Sequence, residues 1–448
     1  MKGLLDFALI SSDKKLIASI EGFCHKSNYM LISWNNESAF LDAQEAEAIE
    51  AKFIMVSDLD STTKDSLAQK VQVASQMCPN SFICCVVGQK MPKEEASFVI
   101  KSGADVMMTI DEVTTTSKLE YICNNVIRSD YIPIKTSDLE QDKELTFNVY
   151  YYVGQRNKFL ICGHDGLVLS ADKFEKMKKL GEFYIKRSDV DKFNTYVKTL
   201  SYNSETAVER RCRSEYLSLC WSYTEFIILL TDYSRFNSFT EGKALLDKCK
   251  TFSNRLISSM AAVNDLWKII NQRVINISSL DNIPAVTAYA GLFALQMEIE
   301  NVEDVMLAAL LSDISLIFQP PETIIKLKTT GVEKLSAEEQ ARYKEHPVNS
   351  LKIALDRKVP INNNIREILL CTHERADGNG FPKKRLSDKI PYEAYIVQFA
   401  EEYHKNSMLK EGTTSINLQE YNKILMDSPD TMSRYKPTFV NNIKKLFT

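Results

Sequence analysis

Five short apolar runs within the first 110 residues constrain the fold of this chain more than any other feature. They read LDFALISS, YMLISW, KFIMVSDLD, FICCVVG and ADVMMTI, with amphipathic stretches such as SLAQKVQVASQM between them. A strand covered on both faces has no solvent side to mark with polar residues. Continuous apolar runs therefore predict parallel strands sandwiched between helices. Five such repeats predict a doubly wound α/β domain over residues 1–130, with functional groups at the carboxyl ends of its strands. Asp58 stands at the end of the third run.

The remainder divides by pattern. The polar stretch IPIKTSDLEQDKEL predicts a linker over residues 131–144. FNVYYYVG and KFLICG then predict two strands, and SADKFEKMKKLG a helix with Ser170 as its cap and Gly181 as its stop. Together with EFYIKRSDVDKF they make a small α+β module, residues 145–200. Helical spacing of apolar residues continues from there almost to the end. Residues 201–275, poor in helix breakers, predict two or three long helices that link domains or pair with a second subunit; residues 276–448 predict an all-α domain. The chain is thus multidomain.

Composition removes several function classes. A formal net charge of −4 gives no global field for DNA, RNA or an anionic membrane. No apolar stretch approaches the ~20 residues of a transmembrane helix. The ten cysteines include no C-x-x-C pair and read as reduced, buried thiols, so the expected location is cytoplasmic.

The first domain resembles a response-regulator receiver. FIMVSDL falls where that family has its phosphoacceptor strand, and SGADVMMTID at the start of the last strand. The resemblance implies Asp58 as the phosphoacceptor. The acidic pair that would hold magnesium is replaced by Ser11 and Ser12, with Asp13 beyond; the hydroxyl position falls on Val87 or Gly88, and the lysine–proline pair on Ile110 and Asp111. Those departures predict a pseudo-receiver used for docking or dimerisation, with phosphorylation of Asp58 as the alternative.

Four fragments carry the last third: LAALLSDIS (307–315), KEHPVNSL (344–351), CTHERADGNGFP (371–382) and IVQFAEEYH (396–404). From Asn282 to Tyr403 they resemble the HD-GYP domain, a metal-dependent family that cleaves cyclic di-GMP. The family's H-H-E-x-x-D-G-x-G-Y-P run keeps His373, Glu374, Asp377, Gly378, Gly380 and Pro382, with Phe381 in place of tyrosine. By the same resemblance, Asn282, Ser312 and Thr372 stand where histidine ligands belong, while Asp313, His346, His373 and Glu401 survive. Hydroxyls and amides are poor donors for transition metals. The surviving set implies either a hydrogen-bonded network without a cofactor or one divalent ion, iron, manganese or zinc. Leu316 and Tyr395 replace a lysine and an arginine that would meet phosphate.

The loop Asp377, Gly378, Gly380, Phe381, Pro382 is the best-kept part and implies an interaction surface. The resemblance therefore implies a catalytically degenerate HD-GYP signalling protein, sensing cyclic di-GMP or docking onto a diguanylate cyclase or other signalling protein. A single-metal phosphodiesterase with residual or altered activity, and a scaffold that binds no nucleotide, are the alternatives. A homodimer is a further expectation.

Overall fold

The computed structural model describes residues 5–46, 49–59, 64–128, 131–153, 158–180, 182–200, 205–235, 239–260, 282–407 and 428–446. The chain forms two compact units, and neither is continuous in sequence. The first comprises Met1–Ser129, Glu225–Gly242 and Leu316–Leu335; the second comprises Asp130–Thr224, Lys243–Ser315 and Ser336–Thr448.

In the first unit all five apolar runs are strands: β1 (Leu5–Ile10), β2 (Leu31–Trp34), β3 (Ala51–Ser57), β4 (Phe82–Val87) and β5 (Val106–Thr109). They form one parallel sheet in the order β2-β1-β3-β4-β5. Ile54, Val56, Cys85 and Met107 are sealed in its core. The helices are α1 (Lys14–Ser27), α2 (Glu37–Ala46), α3 (Lys64–Met77), α4 (Lys93–Lys101), α5 (Ile110–Thr115) and α6 (Lys118–Cys123). Asp13 caps α1 by accepting from Leu16 N at 2.7 Å.

Two distant segments complete this unit. Tyr233 is buried in the same core as Val87 and Met107, Arg235 donates to Asp105 O at 2.8 Å, and Ser117 donates to Gln319 O. Lys118, fully buried, donates to Thr231 O at 3.0 Å and lies 3.4 Å from Glu112. Residues 316–335 therefore leave the C-terminal stretch that the sequence suggests is one domain. Chain order and spatial order differ here because buried polar groups of one segment find their partners in another.

The second unit begins with a correction. The stretch expected to be a linker opens with a strand, β6 (Tyr131–Lys135), hydrogen-bonded to β9 (Glu182–Lys186) along its whole length. With β7 (Val149–Val153) and β8 (Lys158–Gly163) they form an antiparallel sheet in the order β6-β9-β7-β8. Ile132 and Ile134 alternate toward the core that also holds Phe147, Phe183 and Phe193, and this period-2 pattern was hidden among polar neighbours. Helices α7 (Ala171–Leu180) and α8 (Val190–Lys198) belong to the module; Gly181, the expected stop, lies outside the described residues. Two long helices follow, α9 (Glu205–Thr231) and α10 (Phe239–Met260).

The remaining described helices are α11 (Ile283–Gln296), α12 (Val302–Leu311), α13 (Pro321–Thr329), α14 (Ala337–Lys344), α15 (His346–Asp356), α16 (Asn363–Cys371), α17 (Tyr392–Ser407), α18 (Pro429–Arg434) and α19 (Pro437–Leu446); α13 belongs to the first unit. Residues 283–294 of α11 are all buried, which marks it as the central helix of this region. Tyr289 and Phe293 meet Tyr403 and Phe399 of α17. Ser336 and Glu339 exchange side-chain-to-backbone hydrogen bonds that start α14.

Candidate metal centre

Three side chains converge at helix ends in the second unit. Asp313 follows Ser312, the C-terminal cap of α12; His346 is the first residue of α15; His373 follows Thr372, the cap of α16. Helix ends, and not the inward faces of long rods, place these groups. One ligand atom from each lies within 4.8 Å of the others. His346 Nε2 stands 3.2 Å from Asp313 Oδ1 and 3.0 Å from His373 Nε2.

Backbone contacts fix the tautomer of His346. Its Nδ1 is 2.6 Å from Tyr343 O, which can only accept, so Nδ1 carries the hydrogen. Nε2 then presents a lone pair toward a carboxylate oxygen and a second imidazole nitrogen. A hydrogen on Nε2 of a neutral His373, donated to that lone pair, satisfies the contact, and so would a metal ion among the three atoms. Two imidazole nitrogens bound to one ion at ~2.1 Å stand about 3.0–3.4 Å apart, from octahedral to tetrahedral angles. The donor set therefore fits one divalent ion, in the two-histidine, one-carboxylate pattern that leaves other positions open.

Electrostatics point the same way. Burial pushes the Asp313 carboxyl up, but its contact with His346, and then the nearby His373, outweigh this and hold it below the ordinary range. Burial first, then the neighbouring His346, pushes His373 down to about 3. His373 is thereby a neutral donor at physiological pH.

Glu401 does not join the three. Its carboxylate is 3.9 Å from Nδ1 of His373, the ring nitrogen opposite the one that faces His346. It is placed to back the imidazole as an outer partner, in place of the fourth-ligand position implied by the resemblance. Burial, then the Asp313 charge, raises its carboxyl above the usual range.

Of the three residues that stand where the resemblance implies histidines, two turn their hydroxyls back to their own helices. Ser312 Oγ donates to Ala309 O at 3.0 Å, and Thr372 Oγ1 to Leu369 O at 3.1 Å. Asn282 caps the start of α11, with its Oδ1 buried and without a hydrogen-bond partner. Leu316 is buried, and Tyr395 is buried and packs edge-on to Tyr435, so both side chains belong to core packing.

The glycine loop is tied down from inside. Glu374, fully buried, accepts from Lys383 N at 2.6 Å and Arg385 N at 2.8 Å. Its role as a staple was invisible in the sequence, where it reads as the end of a metal-binding helix. Asp377 pairs with Arg375 at 2.8 Å, and Arg375 reaches Asp430 and Ser433 near α18. Gly378 adopts φ +76°, as a tight turn requires. Gly380 needs glycine for another reason: a Cβ there would lie 2.3 Å from Arg375 N. Phe381 does not form an exposed tip. Its ring stacks on His373 with centroids 4.7 Å apart and planes 13° apart, and the bond to Pro382 is cis.

In the first unit Asp58 Oδ2 lies 3.3 Å from Lys70 Nζ. Ser57 Oγ donates to Ser11 Oγ at 2.6 Å, and Asp13 is the cap of α1. Of the two positions that would present an acidic pair, Ser11 is a buried hydroxyl and Ser12 is exposed, and Asp13 beyond them is taken up as the helix cap. Among the described residues no helix is long and apolar enough to cross a membrane.

Comparison with the curated proteins returns no match. Among solved structures, Bd1817, a HDG"Y"P protein from Bdellovibrio bacteriovorus, is similar at 16% identity over 71% of this chain and 99% of that one, with a TM-score of 0.44. Residues 256–431 of the chain, which contain Asp313, His346 and His373, match the family model described as an HD domain.

Proposed function

We propose that this chain is a signalling protein whose HD-type region holds one divalent ion through Asp313, His346 and His373 and binds a cyclic dinucleotide, cyclic di-GMP, without turning it over. The observation that carries the reading is the commitment of Ser312 and Thr372 to their own helix carbonyls. With those hydroxyls turned back to their own helices, two positions that serve a multi-metal cluster in the HD-GYP family offer only a neutral hydroxyl, a poor ligand for a transition metal. A bound ion would polarise a phosphoryl oxygen and lower the pKa of a coordinated water. The protein's own part is to orient the donors: Tyr343 O sets the His346 tautomer, and Phe381 stacks on His373.

Burial of Leu316 and Tyr395 removes the two side chains that would meet phosphate in the resembling family. Little or no cleavage is the expected consequence, with binding left to the ion and the remaining contacts. The N-terminal unit, with Asp58 paired to Lys70, would serve as a docking domain. The test is calorimetry with cyclic di-GMP alongside a hydrolysis assay in manganese or ferrous iron. Binding without a linear dinucleotide product supports the proposal; turnover that His373→Ala abolishes establishes the rival single-metal phosphodiesterase. That rival is favoured by the open positions of the three-donor set. No binding at all leaves a scaffold.

A further inference from the structure

The sheet of the second unit has two edges, and they differ. Its order is β6-β9-β7-β8, so β6 and β8 are the outer strands. An outer strand offers a row of backbone N–H and C=O groups on its open side. Proteins blunt such edges with proline, lysine or a covering element. β6 carries Pro133 at its centre, yet its ladder to β9 runs unbroken from Tyr131 to Lys135. A residue without an N–H fits there when its nitrogen lies on the outer side. That edge is closed to a further strand.

β8 has no such guard. It pairs with β7 from Lys158 to Gly163, and Cys162 Sγ also donates to Val149 O at 3.3 Å, so its inner side is firmly held. Among the described residues no strand pairs with its outer side. From Phe159 to Gly163 it reads FLICG, without proline or charge. Leu160 and Ile161, in the middle of the strand, are 54% and 60% exposed. Successive residues project to opposite faces, so this edge is apolar above and below. Strong β-formers on an unguarded edge suit one kind of occupant, another extended strand.

We propose that β8 pairs antiparallel with β8 of a second copy of this chain, about a twofold axis through the middle of the strand. Two four-stranded sheets then become one. Self-pairing gathers Leu160 and Ile161 of both copies around the axis, and no like charges meet there, because residues 159–163 carry none. The contact also closes. Each outer edge of the joined sheet is a β6 with its Pro133, so growth stops at a dimer. One short strand pair is smaller than a standard interface, and the dimer should dissociate in the range of ~10–100 µM.

The test is sedimentation velocity of the full chain in reducing buffer over a wide concentration range, with hydrogen exchange at both ends of it. The wild type should pass from monomer to dimer, and the amides of residues 159–163 should exchange more slowly in the dimer. Ile161→Lys sets a charge against its own copy near the axis and should weaken the dimer at least tenfold. Ile161 is exposed, so the change should leave the fold intact, which circular dichroism checks. Ile325→Lys, at another exposed apolar residue, should have no effect. A chain that stays monomeric would overturn the proposal. So would a dimer indifferent to Ile161→Lys or without added protection at 159–163, since its contact would lie elsewhere, such as on the long helices α9 and α10.

Discussion

His346 and His373 face each other nitrogen to nitrogen, Nε2 to Nε2, at 3.0 Å, and the Tyr343 carbonyl holds the first ring so that its lone pair points at the second. Either a hydrogen on His373 Nε2 or a metal ion can fill the gap, and the proposed function takes the second. On that reading one divalent ion per chain, and not two or three, should copurify under anaerobic conditions. Elemental analysis measures the ratio directly. Asp313→Asn removes the anionic oxygen 3.2 Å from His346 and should cut metal affinity tenfold or more. Two ions per chain would sink the single-ion reading.

Glu374 and the loop it staples give a second expectation. Its two oxygens accept from the backbone of Lys383 and Arg385 in a fully buried setting. Hydrogen bonds to a charged group contribute about 1.5–3 kcal/mol each, and their loss leaves buried donors unpaired. Glu374→Ala should destabilise the protein by roughly 3 kcal/mol or more in urea unfolding. Glu374→Gln should recover only part, since its amide keeps one acceptor and turns donors toward a backbone N–H. A loss below ~0.5 kcal/mol would show that the loop is held by other contacts.

What the sequence made legible follows the physics of each element. The parallel strands were readable because burial on both faces writes an unbroken apolar run, as in Phe53–Val56. Strand β6 was not readable, because Ile132 and Ile134 alternate with residues of other chemistry and match only through β9. The convergence of Asp313, His346 and His373 came from spacing within a family resemblance. The displacement of Glu401 to the far side of His373 depends on side-chain direction, which spacing does not carry. Glu374 reads only as a kept position of its run until the backbone of residues 383–385 folds over it. Residues 316–335 joined another unit through contacts such as Ser117 to Gln319, separated by 202 positions.

Lys118 tests how the first unit is held together. Its ammonium is fully buried, donates to Thr231 O and lies beside Glu112. Removing one partner of a buried pair typically costs about 3–5 kcal/mol, because the other charge remains without compensation. Lys118→Met, which keeps the volume, should lower stability by roughly 3 kcal/mol. Adding Glu112→Gln should restore part of that loss, and a double-mutant cycle isolates the coupling. Strict additivity of the two changes would mean the ion pair contributes nothing.

His404 supplies the pH dependence. It is 6% exposed on α17 across from Tyr289, and burial pushes its imidazole down to about 4. In the unfolded chain a histidine titrates near ~6.5. Between those values the unfolded state binds the extra proton, so stability rises with pH there. The contribution, about 3 kcal/mol, is whole above about pH 6.5, declines as pH falls, and is lost once pH is below about 4. Urea midpoints measured from pH 7.5 to 4.5 should fall for the wild type, with His373 adding to the slope, since it is displaced in the same direction. His404→Phe removes one titrating group and should flatten the curve by about 2 kcal/mol between pH 7 and pH 5. An unchanged slope would mean that His404 is already protonated, and solvated, in the folded protein.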